Sequence, residues 1–235
     1  DETVYMIHSS PASSVILIPM IEKLSASFKV IAPDTLGFGD SVAPTQEWPS
    51  AGDYADSVIR VMDSLEIESC HFFGSHTGAH IASEVAIKYP DRMKKLVLDG
   101  IAMFSDEERK EYLEHYAPEI KPDEFGQHLV WAWNFVRDQF IYFPYFKKTP
   151  EHRRAEVSMA HPELLNKLVL EVLKGLSTYH KGYHAAFTHE DKVRLPLIDV
   201  ETFCGASEDD PLKTGIDKAE ELSLIHISEP TRQFR

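Results

Sequence analysis

Phe72-Phe73-Gly74-Ser75-His76-Thr77-Gly78-Ala79 is the stretch from which the architecture follows. An apolar, β-rich run at 70–73 leads into it. A helical run at 76–89 leads out, with small residues at Ala79, Ala82 and Ser83 and with Pro90 as its stop. Between them, Gly74 and Gly78 bracket His76 at a strand-to-helix turn so sharp that only small neighbours fit, because the central residue is strained and the adjoining backbone is crowded. Such a turn is a nucleophile elbow, the device that exposes a reacting side chain at the edge of a sheet.

On either side of the elbow, strand and helix signals alternate. A strand at 4–7 is followed by the loop His8-Ser9-Ser10-Pro11-Ala12-Ser13-Ser14. A helical stretch at 16–27 then carries Leu17, Met20, Ile21 and Leu24 at apolar spacing. A second strand at 28–32 leads to the turn-rich Asp34-Thr35-Leu36-Gly37-Phe38-Gly39-Asp40-Ser41. The helical pattern at 53–65 puts Val58, Ile59, Met62 and Leu65 on one face, and a further strand follows the elbow helix at 96–98. This order predicts an α/β fold, a parallel sheet covered by helices on both faces. From 104 to 190 no strand-like run recurs, and helical spacing rich in large aromatics predicts an insertion. The sheet pattern resumes at 197–203 and closes in the acidic turn at 205–211.

The chain thus divides into a first core part at 1–103, a helical insertion at 104–190 and a second core part at 191–221. Residues 222–232 read LSLIHISEPTR, like a one-frame translation of a transposase-type sequencing adapter. Residues 222–235 are therefore expected to be a non-native tail and are set aside from fold reasoning. The start at Asp1, almost inside a strand, suggests a fragment, as in metagenomic sequence.

Composition sets outer bounds. Of 235 residues, 43% are hydrophobic and 26% charged, which is globular composition. Acidic residues exceed basic ones by 38 to 24, against the basic surface that sequence-independent nucleic-acid binding needs. No apolar run approaches the ~20 residues of a membrane span. Cys70 and Cys204 make no disulfide framework, which fits a reducing cytoplasm. The expected partner is a small-molecule substrate, with neither nucleic acid nor membrane.

Four motifs in order resemble the α/β-hydrolase superfamily across nearly all of 3–221. They are the elbow, the His8-Ser9-Ser10-Pro11 loop, the Asp34 to Ser41 turn, and an insertion placed where the family carries its cap. The resemblance implies a mostly parallel sheet with a helical cap, with edge strands missing at both ends. It implies oxyanion donors at the backbone N–H of Thr77 and in the Ser9-Ser10 loop, and an acid at Asp210, with Asp209 as the alternative. It also puts His8, Trp131, Trp133 and Tyr142 among the residues bordering an apolar acyl or aryl pocket, with Phe140 and Tyr145 as further candidates. The departures are specific. The family's usual elbow serine is replaced by His76, and Ser75 stands one place too early. The base histidine expected after the last strand is absent, since His226 belongs to the set-aside tail.

His76 can do chemistry of its own. An imidazole in water titrates at about pH 6.5, and a helix N-terminus disfavours its cation, so a largely neutral ring is expected near pH 7. As a general base it would activate water against an ester, thioester or lactone; as a nucleophile it would pass through an acyl-imidazole. The competing classes are a catalytically silent ligand-binding relative and a non-hydrolytic lyase or cofactor-independent oxygenase. His80 shares a helix face with His76, but HTGAH lacks the glutamate of a zinc helix and no third ligand is evident, so neither metal nor cofactor is expected. Arg137-Asp138 reads as a polar anchor or an internal ion pair. The cluster Tyr179, His180, Tyr183, His184 and His189 reads equally as substrate contact or helix surface. With edge strands and the usual base missing, little turnover is expected of the 235-residue chain.

Overall fold

The computed structural model describes residues 2–220; the expected adapter-derived tail at 222–235 lies outside them. Five strands form one parallel sheet: β1 (Thr3–Ile7), β2 (Lys29–Ile31), β3 (Cys70–Ser75), β4 (Met93–Asp99) and β5 (Thr202–Gly205), in the spatial order β2-β1-β3-β4-β5. Around it lie α1 (Ile18–Leu24), α2 (Ala51–Ser64) and α3 (Thr77–Lys88). Alternation along β1 explains the two covered faces. Tyr5 and Ile7 enter the core built with α2 and α3, whereas Val4 and Met6 enter a second cluster with Leu17 and the apolar face of α1. In β3 the neighbours Phe72 and Phe73 divide between the faces in the same way. α3 is buried along nearly its whole length, Thr77 through Ala86, which is why its small residues are required at the centre of the layer.

The last strand is displaced from its expected position. Residues 197–203 were expected as strand, yet Leu195–Leu197 form a 3-10 turn and pairing starts at Thr202. Pro196 has no N–H to give a ladder and presets a turn conformation, so the apolar run begins before the strand does.

Strand order reverses at β1: the chain steps to β2 on one side and then to β3 on the other. In open α/β sheets the crevice outside the carboxyl ends at such a switch point is where ligands bind. Here it brings together the loop after β1 and the turn after β3.

Asp34 fixes the first of these loops. Its carboxylate accepts from the Ser14 N–H (2.9 Å), the Ser14 hydroxyl (2.7 Å) and the Asp40 N–H (3.0 Å), tying the Asp34 to Ser41 turn to the end of the β1 loop. Burial alone would raise its pKa, but these donors outweigh it and hold the carboxyl below its ordinary value. Asp34→Ala is expected to lower stability by roughly 1.5–3 kcal/mol, read as a fall in thermal midpoint at pH 7. The sign with pH follows: the contribution is present above the unfolded carboxylate pKa and fades as pH falls below it, so the mutant and wild-type midpoints should converge in acid.

Residues 106–187 carry α4 (Asp106–His115), α5 (Gln127–Gln139), α6 (Pro162–Lys174) and α7 (Tyr179–Phe187), with no strand among them beyond one bridge between Tyr142 and Arg153. A short α8 (Asp191–Arg194) leads back to the sheet, and α9 (Lys213–Glu220) follows β5. α4 starts on a reciprocal Ser105/Glu108 capping box. The helices enclose a separate aromatic core, into which Phe38 of the Asp34 to Ser41 turn is inserted. No helix among the described residues is long and apolar enough to cross a membrane.

Candidate active site

His76 occupies the turn between β3 and α3 at φ 50°, ψ −111°, a conformation that costs an L-residue about 1–3 kcal/mol and persists only where its surroundings enforce it. The enforcement comes from the two glycines. A Cβ on Gly74 would lie 2.3 Å from the Gly78 carbonyl oxygen, and one on Gly78 would lie 2.3 Å from the Ile7 oxygen and 2.8 Å from that of His8. The start of α3 is thus pressed against both its own strand and the end of β1. The His76 N–H is fixed to the Asp99 carbonyl at 2.8 Å.

Its imidazole Nε2 stands 2.7 Å from Asp210 Oδ2. Asp210 lies beyond β5, and its other oxygen accepts the Leu212 N–H at 2.7 Å. Burial alone would raise the Asp210 pKa, but the hydrogen bond and charge of His76 outweigh it and hold the carboxyl below its ordinary value. An ionised carboxylate can only accept, so Nε2 carries the hydrogen and Nδ1 of the neutral ring keeps its lone pair. Of the two adjacent acids, Asp210 makes the contact, while Asp209 uses its carbonyl oxygen to receive Arg154 at 2.7 Å.

The expected titration of His76 needs correcting. Burial does lower its pKa, as the helix terminus was expected to, but the hydrogen bond and charge of Asp210, with the charge of Asp99 behind, reverse the sign and leave it raised. Neutrality of the ring is therefore reached at higher pH than the sequence suggested. Ser75, one place earlier, directs its hydroxyl to Asp99 Oδ2 at 2.9 Å and does not line the cavities beside His76.

Two cavities meet at this ring. The larger, 360 Å³, is walled by Phe104, Tyr112, Tyr116, Phe143, Tyr183 and Phe187, with Thr77, His80 and Asp210 at its polar end. The smaller, 220 Å³, is lined by Ser9, Pro11, Ile16, Val136, Phe140, Leu168 and Val172 among others. Ser10, His76, Gln139 and Arg154 border both. Thr77 opens α3, where first-turn N–H groups have no intrahelical acceptor. Tyr183 donates its hydroxyl to the Ser10 carbonyl at 3.0 Å, holding the β1 loop at the cavity wall.

Several expected pocket residues lie elsewhere. His8 is 2% exposed and borders neither cavity. Its Nδ1–H donates to the Ser9 carbonyl and its Nε2 accepts the Thr35 N–H, both at 2.9 Å, so the ring is a strut between the two loops. Burial lowers its pKa and keeps it in the neutral form this pairing needs. Trp131, Trp133 and Tyr142 do not border these cavities either. The inward phase of α5 is set by Ala132, Phe135 and Val136; Trp131 stacks on Phe135 at 4.8 Å within the aromatic core, and Trp133 faces outward. Tyr142 is held in the bridge with Arg153. Tyr145 is a core residue that donates to the Tyr116 carbonyl, whereas Phe140 does line the smaller cavity. Asp138 is buried against Arg137 and Lys148, both at 2.6 Å, which makes it an internal ion pair. His180 and His184 pack against Trp48, and His189, which lines neither cavity, joins a buried polar network with Asp191 and Glu84.

Arg154 and Asp99 are the residues sequence reasoning missed. Asp99 had a signal, since it ends the strand beside the elbow strand at the carboxyl edge of the sheet. Arg154 had none, standing in irregular chain before α6. Its guanidinium donates to the Gln139 and Asp209 carbonyls at 2.8 and 2.7 Å.

With this geometry in view, comparison with known proteins gives the family. Residues 2–133 match the family model described as alpha/beta hydrolase fold, and the chain belongs to that family. It is 40% identical over 83 residues to a 2-hydroxymuconate semialdehyde hydrolase of Pseudomonas sp. (strain CF600), a match covering 35% of this chain and 29% of that protein. The matched stretch spans under a third of the length of that relative. Among solved structures, an esterase from Thermogutta terrifontis superposes with TM-score 0.71 at 20% identity, over 97% of this chain and 80% of that one. The enol-lactonase from Burkholderia xenovorans LB400 gives 0.66 at 18% identity, over 99% and 83%. These two likenesses establish the shared fold.

Proposed function

We propose that this chain carries the site of a hydrolase of small apolar esters, thioesters or lactones, with His76 as general base at a nucleophile elbow and the helices of 104–190 as a cap over the site, its own turnover being low. The observation that carries this is the 2.7 Å pairing of His76 with Asp210 at a strained turn beside two cavities. The pairing fills, with one residue, both the elbow position and the acid-supported base that the family divides between two.

In the step envisaged, Nδ1 of neutral His76 removes a proton from a water molecule as its oxygen adds to the substrate carbonyl. The carbonyl oxygen takes up the displaced electron pair and is received by the Thr77 N–H and an N–H of the Ser9-Ser10 loop. When the tetrahedral centre collapses, the bond to the alcohol, thiol or lactone ring oxygen breaks, and the proton held on Nδ1 passes to that leaving atom. Asp210 holds the ring and balances the imidazolium throughout. The two cavities give the acyl part and the leaving part separate places, which favours substrates with an apolar arm on each side of the carbonyl. The hydrolase name of the semialdehyde-hydrolase relative agrees with hydrolysis as the reaction.

The experiment is a pH profile of kcat/KM on activated short-chain esters, whose low rates can be measured above background. Activity should rise with pH through a midpoint above 6.5, because the base must be neutral and its pKa is raised. Asp210→Asn should lower the plateau by about 10² and move the midpoint down, since the charge that raises the His76 pKa is gone. An unmoved midpoint and an unchanged plateau would reject the dyad.

A further inference from the structure

Beneath the larger cavity lies a second cluster that the hydrolytic site does not use. His80, one turn along α3 from His76, is 1% exposed and stands at the cavity wall. Its Nδ1 lies 2.8 Å from Asp191 Oδ1, and His189 Nδ1 lies 2.7 Å from the same oxygen. The three donor atoms lie within 4.8 Å of one another, and all three residues are buried. Behind them, His189 Nε2 meets Glu84 Oε1 at 2.9 Å, and Arg194 grips both Glu84 oxygens at 2.7 Å.

We propose that His80, His189 and Asp191 form a binding site for one divalent transition-metal ion of the zinc type. Two imidazoles and a carboxylate are the ligand chemistry such ions take, and two nitrogen donors disfavour magnesium and calcium. The layer behind the donors fits the same purpose: a ligating histidine is commonly oriented by a carboxylate on its other nitrogen, the place Glu84 holds here with Arg194 fixing it. Access exists on two sides, because His80 borders the 360 Å³ cavity and Asp191 borders another of 180 Å³. With metal–ligand bonds of about 2.0–2.2 Å, tetrahedral donors stand roughly 3.3 Å apart. The two N···O contacts therefore open by about half an ångström as hydrogen bonds give way to the ion. His80 and His189 each present Nδ1 to the ion, so a proton on that atom leaves it for the other ring nitrogen or for solvent on binding. Of the three ligands only His80 belongs to HTGAH; His189 and Asp191 lie at the start of α8, more than a hundred residues along the chain.

The test is titration of the intact chain with Zn²⁺ by calorimetry, and with Co²⁺ by visible absorption. One ion per chain is expected, with a thermal midpoint that rises with free Zn²⁺ and d–d bands of low-coordinate Co²⁺. Asp191→Asn and His80→Gln should each weaken binding by 100-fold or more. Glu84→Gln, which keeps all three ligands, should weaken it 10- to 100-fold, while His128→Gln should change nothing. X-ray absorption of the zinc-loaded wild type, which needs no variant to fold, should find two imidazoles in the first shell. Absence of stoichiometric binding by the wild type, binding that survives Asp191→Asn and His80→Gln, or a first shell without imidazole would each overturn the proposal.

Discussion

His76→Ala is expected to reduce ester hydrolysis by the chain about 10³-fold while leaving its far-ultraviolet circular dichroism unchanged. The size follows from the role: a positioned general base contributes roughly 10²–10⁴, and the oxyanion donors, being backbone groups, survive the substitution. The residual rate should resemble that of a carbonyl bound at N–H donors without a base. Added imidazole should restore part of the loss, because the truncated side chain leaves room between Asp210 and the larger cavity for a free ring. His76→Ser is a stricter comparison. It returns the residue common at this position in the family, but removes the imidazole that Asp210 holds, so no recovery is expected. Unchanged turnover in His76→Ala, measured against a heat-denatured control, would reject the role of this residue.

The second large effect is structural. Gly78→Ala should destabilise the fold by about 3 kcal/mol or more, because the new methyl group meets the backbone oxygens of Ile7 and His8 at the end of β1 and no side chain can move to admit it. For a domain of this size about 1 kcal/mol corresponds to roughly 2–4 °C, so the thermal midpoint should fall by about 6–12 °C. The relief available is for α3 to withdraw from β1, which would carry Thr77 away from the Ser9-Ser10 loop. Activity should then fall even below the melting transition. A midpoint within about 2 °C of wild type would contradict the close approach of α3 to the end of β1.

Much of this fold was legible because its signals are local. An apolar, β-rich run in β1, a buried run in β3, and Gly74 and Gly78 about His76 each constrain a few neighbouring residues, and with the strand-helix-strand order they predict a parallel sheet with a sharp turn at its edge. The pairing partner of His76 was legible in part: two adjacent acids after the last strand were candidates, and only the packing of that loop distinguishes the Asp210 carboxylate from the Asp209 carbonyl. What failed depended on helix phase and on distance along the chain. The resemblance points to Trp131, Trp133 and Tyr142 in the insertion, yet burial in α5 is set by Ala132, Phe135 and Val136, Tyr142 is held beyond that helix in the bridge with Arg153, and the cavity takes its aromatics from Tyr112, Tyr116, Tyr183 and Phe187 instead. His8 stood in the right loop but turns away from the crevice to bond Thr35. The sign of the His76 shift failed for a related reason. The helix N-terminus is visible in sequence, whereas the carboxylates of Asp210 and Asp99 converge on the ring only in three dimensions.

Catalysis by the His76–Asp210 dyad is tested most directly by following the His76 ring with ¹⁵N-resolved NMR while kcat/KM is measured on the same sample across pH. Nε2 should carry the hydrogen in the neutral ring, the ring should titrate above 6.5, and the rate should rise with the same midpoint. A rate that stays level while His76 titrates, or that changes at a midpoint the ring does not share, would contradict a catalytic dyad.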